Sequence, residues 1–310
     1  MTTYRSQRAR GGLGRLLAVL LASSYVAAPQ LLHAAEPAAF RKQADILYAT
    51  VDGQALKLDL YMPANAVRPP LLVWVHGGAW SRGSKNEVPA IALVREGYAI
   101  ASIDYRLSPV AKFPAQVHDI KAAIRFLRAH AGEHGYDAGR IGVMGSSAGA
   151  HLAAVAGVTN KDPAFEGKVG SDLAQSSDVQ AIVSYYGASN LTTILKQSTP
   201  YGVGMRVPSL ELLLGGHPDA KSELARMASP VFQVDARDPP LFLLHGDQDP
   251  QMPINQSHEL HGAYKDKGLT VTFEVVHGAE HGGEGFYDAR RTALVKAFLD
   301  RHLKAQERIR

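Results

Sequence analysis

Four stretches of this chain are apolar almost without interruption: LLVWV at 71–75, IGVM at 141–144, AIVSYY at 181–186 and LFLL at 241–244. Each has the length of a strand, and each runs straight into glycine or a short polar loop. A strand with one wet face alternates apolar and polar residues, whereas a strand buried on both faces does not. Strands of this kind demand a sheet covered by helices on both sides. The intervening segments supply them. In PAQVHDIKAAIRFLRAHAGEHG, residues Val117, Ile120, Ala123, Ile124 and Leu127 recur on one side of a helix. EVPAIALVREG reads as a helix ended by Gly97, SAGAHLAAVAG and INQSHELHGAYKDKG as two more, and FYDARRTALVKAFLDRHLKA as a closing amphipathic helix. YAIASIDY and TVTFEVV add strands, and ILYATV with LKLDLYMP reads as an opening strand pair. Strand and helix thus alternate, which predicts an α/β fold with a mostly parallel central sheet. Residues about 190–230 lose the alternation and are expected to form a small insertion over the sheet edge.

The N-terminus differs from the rest. Residues 1–35 carry four arginines and no acid, then the apolar run LLAVLLASSYVAAPQLL, then small residues. That order predicts a signal peptide cleaved near Ala35 and a periplasmic or secreted protein. Pro29 interrupts the apolar run, which falls short of the roughly 20 residues a spanning helix needs, so no stable membrane anchor is expected. Residues 36–310 then form one domain. The formal charge of +4 belongs to the leader, and the remainder is neutral. No basic face is left to suggest nucleic acid as a partner. The chain has no cysteine, which excludes a thiol nucleophile, disulfides and a zinc–thiolate site. No metal-ligand spacing, Gly-rich dinucleotide motif or P-loop stands out, so neither metal nor cofactor is expected.

In a parallel sheet, functional loops gather beyond the carboxyl ends of the strands. Three such ends carry serine, aspartate and histidine, in that order. GSSAG at 145–149 has the form G-x-S-x-G with Ser147 at its centre, on a sharp turn from strand to helix. A serine there is either a nucleophile or a helix N-cap, and Ser146 suits the capping role equally well. HGGAW at 76–80 follows another buried strand, and its adjacent glycines let backbone N–H groups approach a substrate oxygen. Gly77, Gly78 and the first helical residue, Ala148, are the candidate oxyanion hole. HGDQDP offers Asp247 and Asp249. Asp249 lies further into the loop and is the better orienting acid, with Asp247 capping the turn. VVHGAEHGG offers His277, at the strand terminus and expected to be packed, and His281, in the loop and the better general base. His76 is expected to be structural, and His151, just inside the helix, to support the site. Trp80 either lines the pocket near the scissile bond or packs in the core.

In this combination the chain resembles the α/β-hydrolase superfamily. More narrowly it is similar to secreted bacterial esterases and lipases of the feruloyl and acetyl-xylan esterase type, close to the hormone-sensitive-lipase-like carboxylesterases. HGGAW, IDYRLSP (103–109), FPAQVHDIKAAIRFL (113–127), GSSAGAH (145–151), SPVFQV with PPLFLLHGDQDP (within 229–250) and GAEHG (278–282) carry the resemblance. It implies a serine ester hydrolase with catalytic Ser147, Asp249 and His281, and structural roles for Asp104, Tyr105, Arg106 and Asp119. Ser146 stands where the hormone-sensitive-lipase-like group usually has an acid, and Ala150 replaces a second glycine. These departures favour the feruloyl/acetyl-xylan side and leave the acyl group open; the resemblance implies small or aromatic acyl esters, of acetyl or feruloyl type, in a small-molecule or polysaccharide-linked substrate. The HGGAW stretch is also similar to that of arylformamidases, which makes amide hydrolysis the alternative activity. A catalytically inactive hydrolase fold used for binding is the alternative outside enzymes.

Overall fold

The computed structural model describes residues 40–304, and the expected leader lies outside them. In chain order the strands are β1 (Phe40–Val51), β2 (Gln54–Pro63), β3 (Pro70–Val75), β4 (Ala99–Ile103), β5 (Asp137–Ser146), β6 (Ala181–Tyr185), β7 (Leu241–Gly246) and β8 (Val271–Val276). They form one sheet in the order β1-β2-β4-β3-β5-β6-β7-β8. β1 and β2 are antiparallel, β2 runs antiparallel to β4, and every later pairing is parallel. This is the expected α/β sheet.

The helices are α1 (Ala92–Arg95), α2 (Ala115–Ala129), α3 (Ala131–His134), α4 (Ala148–Val158), α5 (Pro163–Glu166), α6 (Ile194–Gln197), α7 (Pro200–Leu214), α8 (Ser222–Met227), α9 (Asn255–Asp266) and α10 (Ala289–Leu303). The two-residue period of β3 divides its side chains between two cores. Leu71, Val73 and Val75 join one core with Ile120 of α2, Leu152 of α4 and Leu260 of α9. Leu72 and Trp74 join the other with Val94 of α1 and Leu299 of α10. The five α2 residues singled out by spacing are all fully buried.

Three elements differ from the sequence expectation. EVPAIALVREG forms only a 3-10 turn at Pro89–Ile91 followed by α1. The long helix after Pro114 breaks at His130, whose Nδ1–H donates to the carbonyl of Phe126 at 2.8 Å. β1 begins at Phe40, ahead of the apolar ILYATV, because an edge strand can leave residues 41–45 exposed.

Residues 190–230 are largely helical, and some of them lie over the carboxyl ends of the strands where an excursion over the sheet edge was expected. They join β6 and β7, which are interior strands. Met205 and Arg206 of α7 face the same cavity as Ser147, beyond the carboxyl end of β5. The pairing Val75↔Gly145, Ser146↔Tyr185 and Gly246↔Val276 brings the ends of β3, β5, β6, β7 and β8 level along that rim.

Candidate active site

Ser147 occupies the single residue between β5 and α4, at φ 53° and ψ −121°. Such a backbone costs about 1–3 kcal/mol in a residue other than glycine and persists only where its surroundings hold it. Here the Ser147 N–H donates to the carbonyl of Tyr185 at 2.9 Å, and its carbonyl accepts from the His151 N–H at 3.1 Å. A Cβ on Gly149 would stand 2.1 Å from the Val75 carbonyl oxygen, so only glycine lets the first turn of α4 lie this close to β3. Ser147 holds the N-cap position, yet its side chain makes no capping bond. Its hydroxyl is instead 2.8 Å from Nε2 of His281.

Behind that histidine, Nδ1–H donates to Asp249 Oδ2 at 2.6 Å. The tautomer follows, because an ionised carboxylate only accepts, which leaves Nε2 free to accept the serine proton. Asp249 Oδ1 takes the N–H groups of Gln251 and Met252, both at 2.8 Å. His245 Nε2 lies 3.4 Å from Oδ2 and donates more directly to the Met252 carbonyl at 2.9 Å. Burial alone would raise the Asp249 pKa. Hydrogen bonds from His245 and His281 and the Met252 N–H reverse that and hold it well below the usual carboxylate range. The second Asp–His pair does not reach Ser147. His277 is exposed, not packed as expected, and its Nδ1 is 2.8 Å from Asp247 Oδ2. Asp247 also accepts the Gly278 N–H at 2.7 Å, which closes the turn after β8.

The 76–80 loop lies directly against the serine. A Cβ placed on Gly77 would stand 3.5 Å from that of Ser147. Gly78, Ala79 and Trp80 all have positive φ (101°, 52° and 59°). At Gly78 a Cβ would come within 2.1 Å of the Arg82 carbonyl oxygen, so no other residue fits. Trp80 holds the loop from behind. Its side chain is fully buried, which is the core-packing alternative, and it is not among the residues facing the cavity at Ser147. The indole N–H donates to Nδ1 of His151 at 3.1 Å, and the opposite nitrogen of His151 is 2.6 Å from the Ala228 carbonyl. Indole only donates and carbonyl only accepts, so His151 is neutral with its proton on Nε2. Burial lowers its pKa to about 4. His76 is buried with its ring stacked on Tyr105 at 4.4 Å. Arg106 and Asp119 form a buried ion pair at 2.7 Å.

Two cavities meet beside Ser147, at Ser146 and Tyr186. One, of about 240 Å³, is lined by Gly77, Gly78, Ser147, Arg206 and His281. The other, of about 720 Å³, lies between Pro89, Tyr186 and Tyr287, and shares Glu87, Ser146 and Tyr186 with the first. The tyrosines and Arg206 were not singled out in the sequence. Tyr186 sets its ring edge-to-face on His281 at 4.9 Å and its hydroxyl 3.1 Å from that of Tyr287. YYG closes a strand and gives no sign that its second tyrosine turns into the site. Among the described residues, no group of three or more His, Asp or Glu side chains is placed to hold a metal ion, and no helix is long and apolar enough to cross a membrane.

Comparison with known proteins agrees with this architecture. Esterase LipQ of Mycobacterium tuberculosis is 34% identical over 238 residues, 75% of this chain and 55% of that protein. The chain spans about half the length of the curated relatives it matches. A truncated carbohydrate esterase from gut microbiota superposes with a TM-score of 0.74 at 28% identity, covering 84% of this chain and 95% of that one. The bifunctional GH43-CE of Bacteroides eggerthii gives 0.76 at 32% identity, covering 84% of this chain and 35% of that one. The BD-FAE family model matches residues 58–264, from β2 through α9, and with them the serine turn, the HGGAW loop and Asp249. The chain belongs to the BD-FAE family of α/β-hydrolases.

Proposed function

We propose that this protein is a serine carboxylesterase that works through an acyl-enzyme on esters with small or aromatic acyl groups. The observation that carries the reading is the unbroken chain of hydrogen bonds from Ser147 through His281 to Asp249, at 2.8 and 2.6 Å. His281 Nε2 takes the proton of Ser147 as the serine oxygen attacks the ester carbonyl. Asp249 fixes the imidazole and stabilises the imidazolium. The N–H groups of Gly77, Gly78 and Ala148 receive the oxyanion, and each such donor is worth about 3 kcal/mol in the transition state. His281 then returns the proton to the leaving alcohol. Water, deprotonated by the same nitrogen, attacks the acyl-serine, and the acid departs as the proton passes back to Ser147.

The space supports short acyl groups. The 240 Å³ cavity beside Ser147 suits an acetyl-sized group, and the 720 Å³ space walled by tyrosines suits an aromatic or sugar-bearing partner. The relationship to LipQ and the carbohydrate esterases supports ester over amide. Residues 1–35 are read as an export leader and the rest as the catalytic domain, and N-terminal sequencing of exported protein tests the cleavage near Ala35. For the activity, the decisive experiment compares p-nitrophenyl esters of rising chain length with methyl ferulate, acetylated xylan and N-formylkynurenine. Turnover of acetyl or feruloyl esters, with fluorophosphonate labelling lost in Ser147→Ala, is the expected result. Turnover confined to long chains or to the formamide overturns the substrate assignment, and labelling that survives Ser147→Ala overturns the nucleophile.

A further inference from the structure

The small cavity at Ser147 contains a cation without a counter-ion. Arg206 is 2% exposed, yet Nε and Nη1 of its guanidinium have no hydrogen-bond acceptor among the described residues. Nη2 has only Gln251 Oε1, at 3.5 Å. Asp249 lies within electrostatic range, but its oxygens are committed to His281, Gln251 N–H and Met252 N–H. A buried charge is ordinarily paired, because removing a cation from water costs several kcal/mol that only well-placed acceptors recover. The other buried arginine among the described residues, Arg125, has an acid partner: its Nη1 meets Glu166 at 2.8 Å, although its Nε too has no acceptor. Arg82, on the rim of the same cavity, also has no ion pair among the described residues. The acid on this wall, Glu87, belongs to the side shared with the larger cavity, whereas Arg206 lines the small cavity alone.

We infer that Arg206 is a specificity-determining residue and that the preferred ester carries a carboxylate, which the guanidinium receives in the cavity at Ser147. A carboxylate is a planar acceptor with two oxygens, and each fork of the guanidinium joins Nη2, held only by the 3.5 Å contact to Gln251, to one nitrogen that has no acceptor, Nε on one edge and Nη1 on the other. This inference rests on the esterase reading. It adds to that reading a substrate class, esters of dicarboxylic acids or esters of a carboxylated alcohol. The guanidinium can meet the charge from either side of the scissile bond.

The test uses the full chain and two matched pairs. Monoethyl glutarate against ethyl butyrate places the carboxylate on the acyl side, and 3-carboxyphenyl acetate against phenyl acetate places it on the alcohol side. The expected result is a kcat/KM ratio that favours the carboxylate in one pair. Arg206→Met lowers that ratio about tenfold or more, the size of one hydrogen bond to a charged group, and Arg206→Lys restores part of it. Thermal protection by free glutarate, present in the wild type and absent in Arg206→Met, reads the same site without catalysis. Esters that turn over with ratios and glutarate protection indifferent to Arg206 overturn the inference and leave the esterase reading intact. Glutarate protection that depends on Arg206, in a protein that turns over no ester, supports the anion site and removes the esterase reading. If Arg206→Met does not fold, Arg206→Lys decides: an unchanged ratio in both pairs rejects the fork, and a reduced one supports it.

Discussion

Two Asp–His pairs sit at the same rim of the sheet, and by distance they are nearly equal. Asp249–His281 closes at 2.6 Å and Asp247–His277 at 2.8 Å, with the aspartates two residues apart in the chain and the histidines four. Burial separates them. The side chains of His281 and Asp249 are 11% and 0% exposed, against 84% and 30% for His277 and Asp247. In the first pair the carboxylate is fully buried and held by two backbone N–H groups, and the far nitrogen of the imidazole meets a serine. In the second the contact ties the turn after β8 to the end of β7 and faces solvent, where such pairs contribute little. A short Asp–His contact is therefore not a catalytic signature in itself. The desolvated setting and the third partner are what distinguish the first pair from the second.

The largest expected effect comes from exchanging the histidines. His281→Ala lowers kcat on p-nitrophenyl acetate by about 10⁴-fold or more, while His277→Ala leaves it unchanged. A loss confined to His277→Ala would reverse the assignment. Asp249→Asn lowers kcat by about 10²–10⁴-fold with KM little altered, since the imidazole loses its orienting acceptor. Asp247→Asn leaves both parameters in place, and stopped-flow burst kinetics on the two variants separate the cases.

A third histidine sharpens the comparison, because His151 is fully buried with no carboxylate at all. His151→Phe leaves the Ala228 carbonyl and the Trp80 N–H unpartnered. It is expected to destabilise the fold by about 2–4 kcal/mol and to lower kcat about tenfold through the loop that Trp80 anchors. Burial lowers the His151 pKa from 6.5 to about 4, so between those values the unfolded chain binds the extra proton. The wild type loses this contribution as pH falls from 6.5 towards 4, and in denaturant melts the variant shows a flatter acid limb. The smallest effect concerns a carboxylate that is buried but poorly partnered. Asp238 accepts one backbone N–H, from Asp235 at 2.9 Å, and burial pushes its pKa up to about 7. Its ionised form is disfavoured in the fold, so the penalty grows as pH rises from 3.8 through 7. Asp238→Asn is expected to gain about 1–2 kcal/mol at pH 8 and nothing near pH 3, by urea melts at both.

The strands and the loop residues of the site were legible because burial on both faces and the glycines of close approach leave plain marks. LLVWV and LFLL do not alternate because both of their faces are covered, and GSSAG lacks side chains where α4 meets β3. The preference for Asp249 over Asp247 and for His281 over His277 rested on distance from the strand end, and the coordinates bring Asp249 and His281 together with Ser147. The exposure of His277 was not legible, since nothing local records what covers a strand terminus. Trp80 stayed open for a related reason: a large aromatic beside the paired glycines can face either way, and only the position of His151, 71 residues on, decides it. Arg206 was invisible in a segment without periodicity, because an unpaired charge shows itself only when its neighbours are known.

The bond between the His151 imidazole and Ala228 bears on attempts to re-engineer the segment between β6 and β7. That segment looks like a cartridge, an excursion whose replacement would retune selectivity and spare the reaction. Ala228, however, is the C-cap of α8, and its carbonyl is what satisfies an imidazole locked inside α4, the helix that begins directly after Ser147. Excising or grafting the segment strands that N–H in a dry interior and loosens the tryptophan braced on the other side of the ring. A transplant at this position therefore succeeds only if it carries a carbonyl to the same spot, or if residue 151 is changed with it.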